Sequence, residues 1–94
     1  MGDGDRKRVV RVERILDETV AGTVMLFDPE SGRYMKLNSS GKALWAAIGS
    51  GSGVGLNSLA SILETRFDIE PQAAADDAAR FVDGLESAGF VRIV

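Results

Sequence analysis

Three aspartates in the C-terminal third come closest, by type and spacing, to a chemical site. Asp76, Asp77 and Asp83 fall in a segment of helical character, where paired carboxylates could exchange protons with a substrate or hold a hard cation. At about 100° per residue, their directions spread over more than about 100° around a helix. That spread is typical of a solvated helix face, so the sequence predicts neither a catalytic pair nor a metal site here.

Two residue types that carry much of enzyme chemistry are absent. The chain has no His and no Cys, which excludes the commonest general base, a thiolate nucleophile and sulfur-ligated zinc. The sequence also lacks the two common phosphate-binding motifs. The run GSGSGVG at residues 49–55 does not match G-x-G-x-x-G in any register. A Walker loop ending at Gly41-Lys42 would need Gly at position 36, where the chain has Lys36. We expect no enzymatic activity, no cofactor and no metal ion.

The charge of the chain argues against nucleic acid as a partner. Residues 1–16 hold five basic and three acidic residues, while the remainder holds six basic and eleven acidic ones. Binding to phosphates needs concentrated positive charge, which this acidic body lacks. No apolar stretch approaches the ~20 residues of a membrane span and residues 1–8 are polar, so we expect a cytoplasmic protein without membrane association.

The elements that would position a site fall into a strand-like first third and a helical remainder. We predict one domain over residues 9–94, preceded by a flexible basic arm at residues 1–8. Alternation predicts a strand at residues 9–16, followed by a polar connection at 17–22. Two further strands, at Thr23–Phe27 and at residues 33–37, are predicted to form a hairpin closed by Asp28-Pro29 and Gly32.

Three helices follow in the prediction. Asn38 caps the first, which ends at Gly49; the second covers Leu56–Phe67; the third covers residues 71–88, with Pro71 at its first position. Apolar and small residues cover about 240° of helix three, against the ~100° stripe of a helix packed on one side. Either alanine serves helix propensity there, or small residues form a second contact surface, which Gly84 favours. Residues 89–94 are strand-like.

The stretch at residues 28–45, DPESGRYxxLNxxGxxLW, resembles the coenzyme PQQ synthesis protein D (PqqD) family. More broadly, it is similar to the recognition elements of pathways for ribosomally synthesised and post-translationally modified peptides (RiPPs). The similarity continues through the apolar positions of helix two, the segment FDIEP at residues 67–71 and the end of helix three, and so covers about residues 10–91.

The layout and the resemblance imply an α+β, winged helix-turn-helix-like fold: a three-stranded antiparallel sheet, then three helices and a short C-terminal strand. The resemblance further implies a non-catalytic adaptor that binds the leader of a precursor peptide as an added strand, on the third strand and beside helix three. It would present the leader to a modifying enzyme or leader peptidase, such as a radical SAM enzyme or a lasso peptidase. The implied peptide contacts are Arg33, Tyr34, Met35, Lys36 and Leu37 on the strand, and Ala75, Ala78, Ala79, Val82, Leu85 and Glu86 on the helix.

Two alternatives to an adaptor remain open from the sequence. A winged-helix regulator would bind DNA through helix three, whose acidic residues oppose that role. A structural subunit of an enzyme complex would bind no peptide of its own. Whichever of these functions the protein has, the glycine-rich connector at residues 49–55 would permit a domain-swapped homodimer.

Overall fold

The structure, a computed structural model, describes residues 7–49 and 53–94. This part of the chain contains three helices and two three-stranded antiparallel sheets. Residues 1–6 of the predicted arm and residues 50–52 of the predicted connector lie outside the described residues. The elements in chain order are β1 Arg8–Arg11, β2 Leu16–Val20, β3 Thr23–Phe27, β4 Tyr34–Leu37, α1 Ser39–Ile48, β5 Val54–Gly55, α2 Leu56–Phe67, α3 Pro71–Ser87 and β6 Val91–Ile93.

The predicted hairpin forms as its turn residues indicate. The side chain of Asp28 accepts a hydrogen bond from the backbone N–H of Glu30 at 2.9 Å, and Gly32 adopts a φ of 78°. Strands β3 and β4 pair in antiparallel register, with Leu26 opposite Met35. The turn is therefore fixed by chemistry within five residues of sequence.

The strand predicted over residues 9–16 is wrong, because the chain divides it between two sheets. Strand β1 ends at Arg11, the N–H of Ile15 donates to the carbonyl of Val12 at 3.1 Å, and β2 begins at Leu16. Strand β2 runs through the segment predicted as a polar connection, and all five of its residues pair with β3. All five are also exposed, so β2 lacks the apolar alternation by which a strand is recognised in a sequence.

A second sheet joins the two ends of the described chain. Strand β1 lies in its centre, with β5 on one side and β6 on the other. The predicted C-terminal strand is thus confirmed as β6, and it pairs with β1, placing Val10 opposite Arg92. Strand β5, within the predicted flexible connector, places Val54 opposite Val9. The three-stranded sheet that precedes the helices is β2–β3–β4, and the helix-turn-helix likeness stays a prediction.

Helices α1 and α3 begin where Asn38 and Pro71 predict. Asn38 Oδ1 accepts from the N–H of Gly41 at 2.8 Å at the start of α1, and Pro71 occupies the first position of α3. Helix α3 ends at Ser87, one residue before the predicted end. The core lies between the helices and the inner faces of both sheets, and its largest fully buried side chains include Leu26, Leu59, Leu63, Leu85 and Phe90. Within residues 7–49 and 53–94, none of the helices combines the length and the hydrophobicity that a membrane-spanning segment needs.

Candidate functional site

Strand β4 lies at an edge of its sheet. It pairs with β3 on one side, and no described strand pairs with its other side. Leu37 is buried and Met35 half-buried on the face toward the helices, whereas Tyr34 and Lys36 are exposed on the opposite face. An open edge of this kind can take an additional strand.

The hydrogen-bond pattern shows which backbone groups of β4 are free to bind another chain. The N–H of Asp28 donates to the carbonyl of Arg33 at 2.8 Å. Along an antiparallel ladder, hydrogen-bonded pairs alternate with non-hydrogen-bonded ones. Counted from this pair, Met35 bonds to β3, while the N–H and C=O groups of Tyr34 and Lys36 point away from β3 toward the open edge.

Helix α3 contacts the residues that flank β4 on either side in the sequence. At one end, Arg33 Nη1 donates to the carbonyl of Ser87 at 3.4 Å. At the other, a Cβ on Gly41 would lie 3.2 Å from the ring of Phe81, so the absent side chain lets that ring pack on α1. Between these contacts lies Gly84, exposed, with no atom within 4 Å of the position a Cβ would take. We call the space between β4 and residues 81–87 of α3 the β4–α3 groove.

Three of the six peptide contacts implied on helix three belong to the core. Ala78, Val82 and Leu85 are 0%, 2% and 0% exposed. An added strand could reach Ala78 and Leu85 only if the core opened, whereas Val82 also lines a cavity beside β1 and β6. Their periodicity already placed them on the core-facing side of the helix, and their role as peptide contacts stays a prediction.

The other three implied contacts lie on the opposite flank of α3 from Phe81 and Gly84, at about 100° per residue. Ala79 lines a cavity of about 180 Å³ with Leu56 and Ile93, beside β1 and β6. Glu86 borders a shallow depression next to β6, and Ala75 is exposed. No described cavity joins these three residues to β4, and their role as peptide contacts stays a prediction.

Phe81 and Gly84 also border the β4–α3 groove, and the site predicted from the sequence did not include them. At about 100° per residue, Phe81 and Gly84 lie about 60° apart, on the side of α3 that faces α1 and β4. Gly84 was the available signal in the sequence, because a glycine in the middle of a helix lowers helix stability by about 1 kcal/mol relative to Ala. The signal indicated a close approach by another chain without indicating from which side.

An ion pair holds the closed end of the hairpin. Arg14 Nε donates to Asp28 Oδ1 at 3.0 Å and Nη2 donates to Oδ2 at 3.2 Å, and Asp28 is 1% exposed. The hydrogen bond from Arg14 lowers the pKa of Asp28 from 3.8 to about 2, against the opposing effect of burial. The backbone N–H groups of Glu30 and Ser31 also favour the charged form. The pair fixes the turn from which β4 emerges.

The three aspartates of α3 do not assemble into a site. Asp76 accepts from Gln72 at 3.2 Å, Asp77 pairs with Arg80 at 3.5 Å, and Asp83 is exposed. Among the described residues, no three acidic side chains gather where a metal ion could be held. The exposed side of α3 is therefore a solvated acidic surface, which phosphate groups would avoid.

The sequence and the fold each match known proteins. The family described as Coenzyme PQQ synthesis protein D (PqqD) matches residues 23–91, which include β3, β4 and all three helices. The chain belongs to the PqqD family. No curated protein sequence is similar enough to count as a match.

Two solved structures share the fold of this PqqD family member. The first, "Lasso peptide synthetase B1 complexed with the leader peptide", has a TM-score of 0.78 and 21% identity, and the match covers 90% of this chain and 98% of that chain. The second, "TbiB1 in Complex with the TbiA(beta) Leader Peptide", has a TM-score of 0.77 and 13% identity, covering 88% and 94%. Both similar proteins were solved with a leader peptide bound.

Proposed function

We propose that this PqqD family member is a non-catalytic adaptor that binds the leader segment of a RiPP precursor peptide as a fourth strand on β4. The observation that carries the proposal is the open edge of β4 beside the β4–α3 groove. The leader-bound state of both structural neighbours supports it. The bound leader would then be presented to a modifying enzyme or a leader peptidase.

Backbone hydrogen bonds and apolar side-chain contacts would contribute differently to leader binding. The N–H and C=O groups of Tyr34 and Lys36 offer four backbone hydrogen bonds to any extended peptide, regardless of its sequence. Each such bond contributes a net ~0.5–1.5 kcal/mol, and ordering a free peptide offsets much of that total. Apolar side chains of the leader in the groove must therefore supply most of the affinity and the specificity, and we expect one aromatic or branched anchor residue.

The strand contacts proposed are those implied by the sequence, Arg33 to Leu37. On α3 we propose Phe81 and Gly84, because they border the groove, whereas Ala78, Val82 and Leu85 are buried beneath it. The anchor residue would lie against Phe81 and Met35, both half-buried at the margin of the core. The open space over Gly84 would let the leader backbone approach the helix closely.

Backbone methylation of the leader tests strand addition directly. A precursor peptide found in the gene neighbourhood would supply the leader sequence, and each synthetic leader in a series would carry one N-methyl group, moved along residue by residue. We expect binding, measured by isothermal titration calorimetry, to weaken at every second position within the bound segment, because only alternate N–H groups of an added strand face β4.

The alternation separates strand addition from other ways of binding. A leader bound as a helix would lose affinity at consecutive methylated positions, since each N–H there bonds within the helix. Absence of binding by the unmethylated leader to the folded protein would overturn the adaptor role itself. Trp45, the single tryptophan, is buried and reports by its fluorescence that the protein is folded during the titration.

A further inference from the structure

The sheet β2–β3–β4 has a second face, directed away from the helices and uncovered among the described residues. We call it the outer face. Its first row, across the three strands, is Leu16, Phe27 and Tyr34, and these side chains are 57%, 40% and 68% exposed. Val20 at the far end of β2 is 56% exposed. Exposed apolar side chains grouped on one surface mark an interaction site.

The second row of the outer face carries two opposite charges. Glu18 on β2 lies opposite Met25 on β3, and Met25 lies opposite Lys36 on β4. The face thus has an acidic residue on one side strand and a basic residue on the other, with a methionine between them. Neither charge has an ion pair among the described residues.

We propose that the outer face binds a second copy of this chain, through a two-fold axis that lies between the two sheets and parallel to the strands. This rotation places β2 of one copy over β4 of the other. Each Glu18 then faces Lys36 of the other copy, and each Leu16 faces Tyr34. Phe27 and Met25 meet their own counterparts on the axis, so one surface is complementary to itself.

The charges select this axis over the other in-plane arrangement. A two-fold axis perpendicular to the strands would place β2 over β2, so that Glu18 faced Glu18 and Lys36 faced Lys36. Like charges placed opposite one another are destabilising, whereas opposite charges attract. The selected arrangement also keeps the strands of the two sheets aligned, which is a standard packing of two sheets.

The size of the face sets the strength of the dimer. Three strands about 4.8 Å apart and about five residues long cover roughly 14 by 17 Å. That is far below the roughly 800 Å² per partner of a stable interface. The dimer is therefore weak, with a dissociation constant at or above the micromolar range, and it forms as the protein concentration rises.

Charge reversal with rescue tests the proposal. Sedimentation velocity of the full chain, from about 1 µM to 1 mM at low salt, should show association that increases with concentration. Glu18→Lys and Lys36→Glu should each weaken the association at least about fivefold, because each places like charges opposite one another twice in the dimer. The double variant Glu18→Lys/Lys36→Glu should restore it. The matched control is Asp76→Lys, which makes the same change in charge on the exposed side of α3 and should leave association unchanged.

Three results would overturn the proposal. A folded wild-type protein that stays monomeric at 1 mM has no such interface. A dimer that Glu18→Lys leaves intact, such as one formed by exchange of elements between chains, uses other contacts. If the protein is a monomer and Phe27→Asp weakens its binding to a modifying enzyme, the outer face binds the enzyme and not a second copy. Leader binding by the Glu18→Lys variant is measured in a separate titration. Glu18 lies on β2, the strand farthest from β4, so the result of that titration tests the adaptor role and not the dimer.

Discussion

The guanidinium of Arg11 stacks on the ring of Trp45, 4.2 Å from its centre, and thereby joins the two sheets to α1. Nη2 of Arg11 donates to the carbonyl of Trp45 at 2.6 Å, and Nη1 donates to Asp17 Oδ2 at 3.1 Å. Trp45 Nε1 donates to the same carboxylate oxygen at 2.8 Å. Strands β1 and β2 diverge into different sheets at this point, and Arg11 links both to the helix.

Removing this link should destabilise the protein. Arg11→Met keeps much of the packing on Trp45 but removes the hydrogen bonds from Arg11 to the carbonyl of Trp45 and to Asp17, so we expect the free energy of unfolding to fall by about 1–3 kcal/mol. Urea denaturation followed by Trp45 fluorescence measures the change. Arg92→Met, an exposed position on β6, is the matched control and should change stability by less than about 0.5 kcal/mol.

The ion pair of Asp28 should make stability depend on acid pH. The pKa of Asp28 is lowered in the folded state, so its charge stabilises the fold above pH 4, and this contribution is lost as the pH falls from about 4 to about 2. Asp28→Asn keeps an oxygen for the N–H of Glu30 but has no charge. We expect it to be less stable than the wild type at pH 7, with a difference that shrinks toward pH 2 in parallel urea titrations. A difference that stays constant over this range would show that the charge of Asp28 does not matter.

The open edge of β4 can be blocked without disturbing its sheet. Lys36→Pro removes an N–H that points away from β3, and proline is tolerated at such edge positions. We expect it to weaken leader binding at least tenfold in calorimetric titrations, while Lys36→Ala, which keeps the N–H, binds nearly as the wild type does.

The other edge of the same sheet supplies the control for this prediction. By the same alternation, the N–H of Thr19 points to the open edge of β2. Thr19→Pro should therefore cost a similar amount of stability but leave leader binding intact. If Thr19→Pro abolished binding and Lys36→Pro did not, the leader would add to β2.

Substitutions on α3 distinguish the two possible walls of the peptide site. Gly84→Ala should raise the free energy of unfolding by about 0.5–1 kcal/mol, because a Cβ meets nothing there and alanine favours the helix. Gly84→Gln should gain some stability too, yet weaken leader binding by filling the β4–α3 groove. Ala75→Gln places the same side chain on the flank implied by the sequence alone, and we expect normal binding. If Ala75→Gln weakened leader binding and Gly84→Gln did not, the peptide site would lie on the flank of Ala75.

Gly53 should respond to alanine in the opposite direction to Gly84. Its φ is 82°, and a Cβ there would lie 2.6 Å from Val10 Cγ1 and 2.7 Å from the carbonyl oxygen of Val9. Gly53→Ala should therefore lower the free energy of unfolding by more than about 1 kcal/mol and weaken the pairing of β5 with β1. Hydrogen exchange at the N–H groups of β1 and β5 locates the effect. Unchanged stability would mean that β5 is not held against β1.

The parts of the fold that were predicted are those whose causes lie close together in the chain. The hairpin from β3 to β4 depends on Asp28, Pro29 and Gly32, all within one turn. Helix α3 depends on Pro71 at its start and on apolar spacing along its length. Strand β2 was missed because every one of its residues is exposed, so that pairing with β3, and not burial, makes it a strand.

The peptide contacts on the strand and on the helix both stay predictions, but the sequence constrains them to different degrees. Residues 33–37 could be predicted to form a strand because they follow directly from the hairpin turn. On α3, the wide arc of small residues offered two flanks, and the sequence contains nothing that says which flank faces β4. The packing of Phe81 against Gly41 decides it, and these residues are forty positions apart in the chain.

The sequence by itself determined the class of fold, the hairpin, the three helices and the family, because turn chemistry, capping and helical periodicity act over a few neighbouring residues. Only the tertiary structure decided that β1 and β2 belong to different sheets, that β6 closes on β1, and that Gly84 borders the groove. Those features depend on which distant segments pair and pack, and their free energy appears only when the whole core assembles.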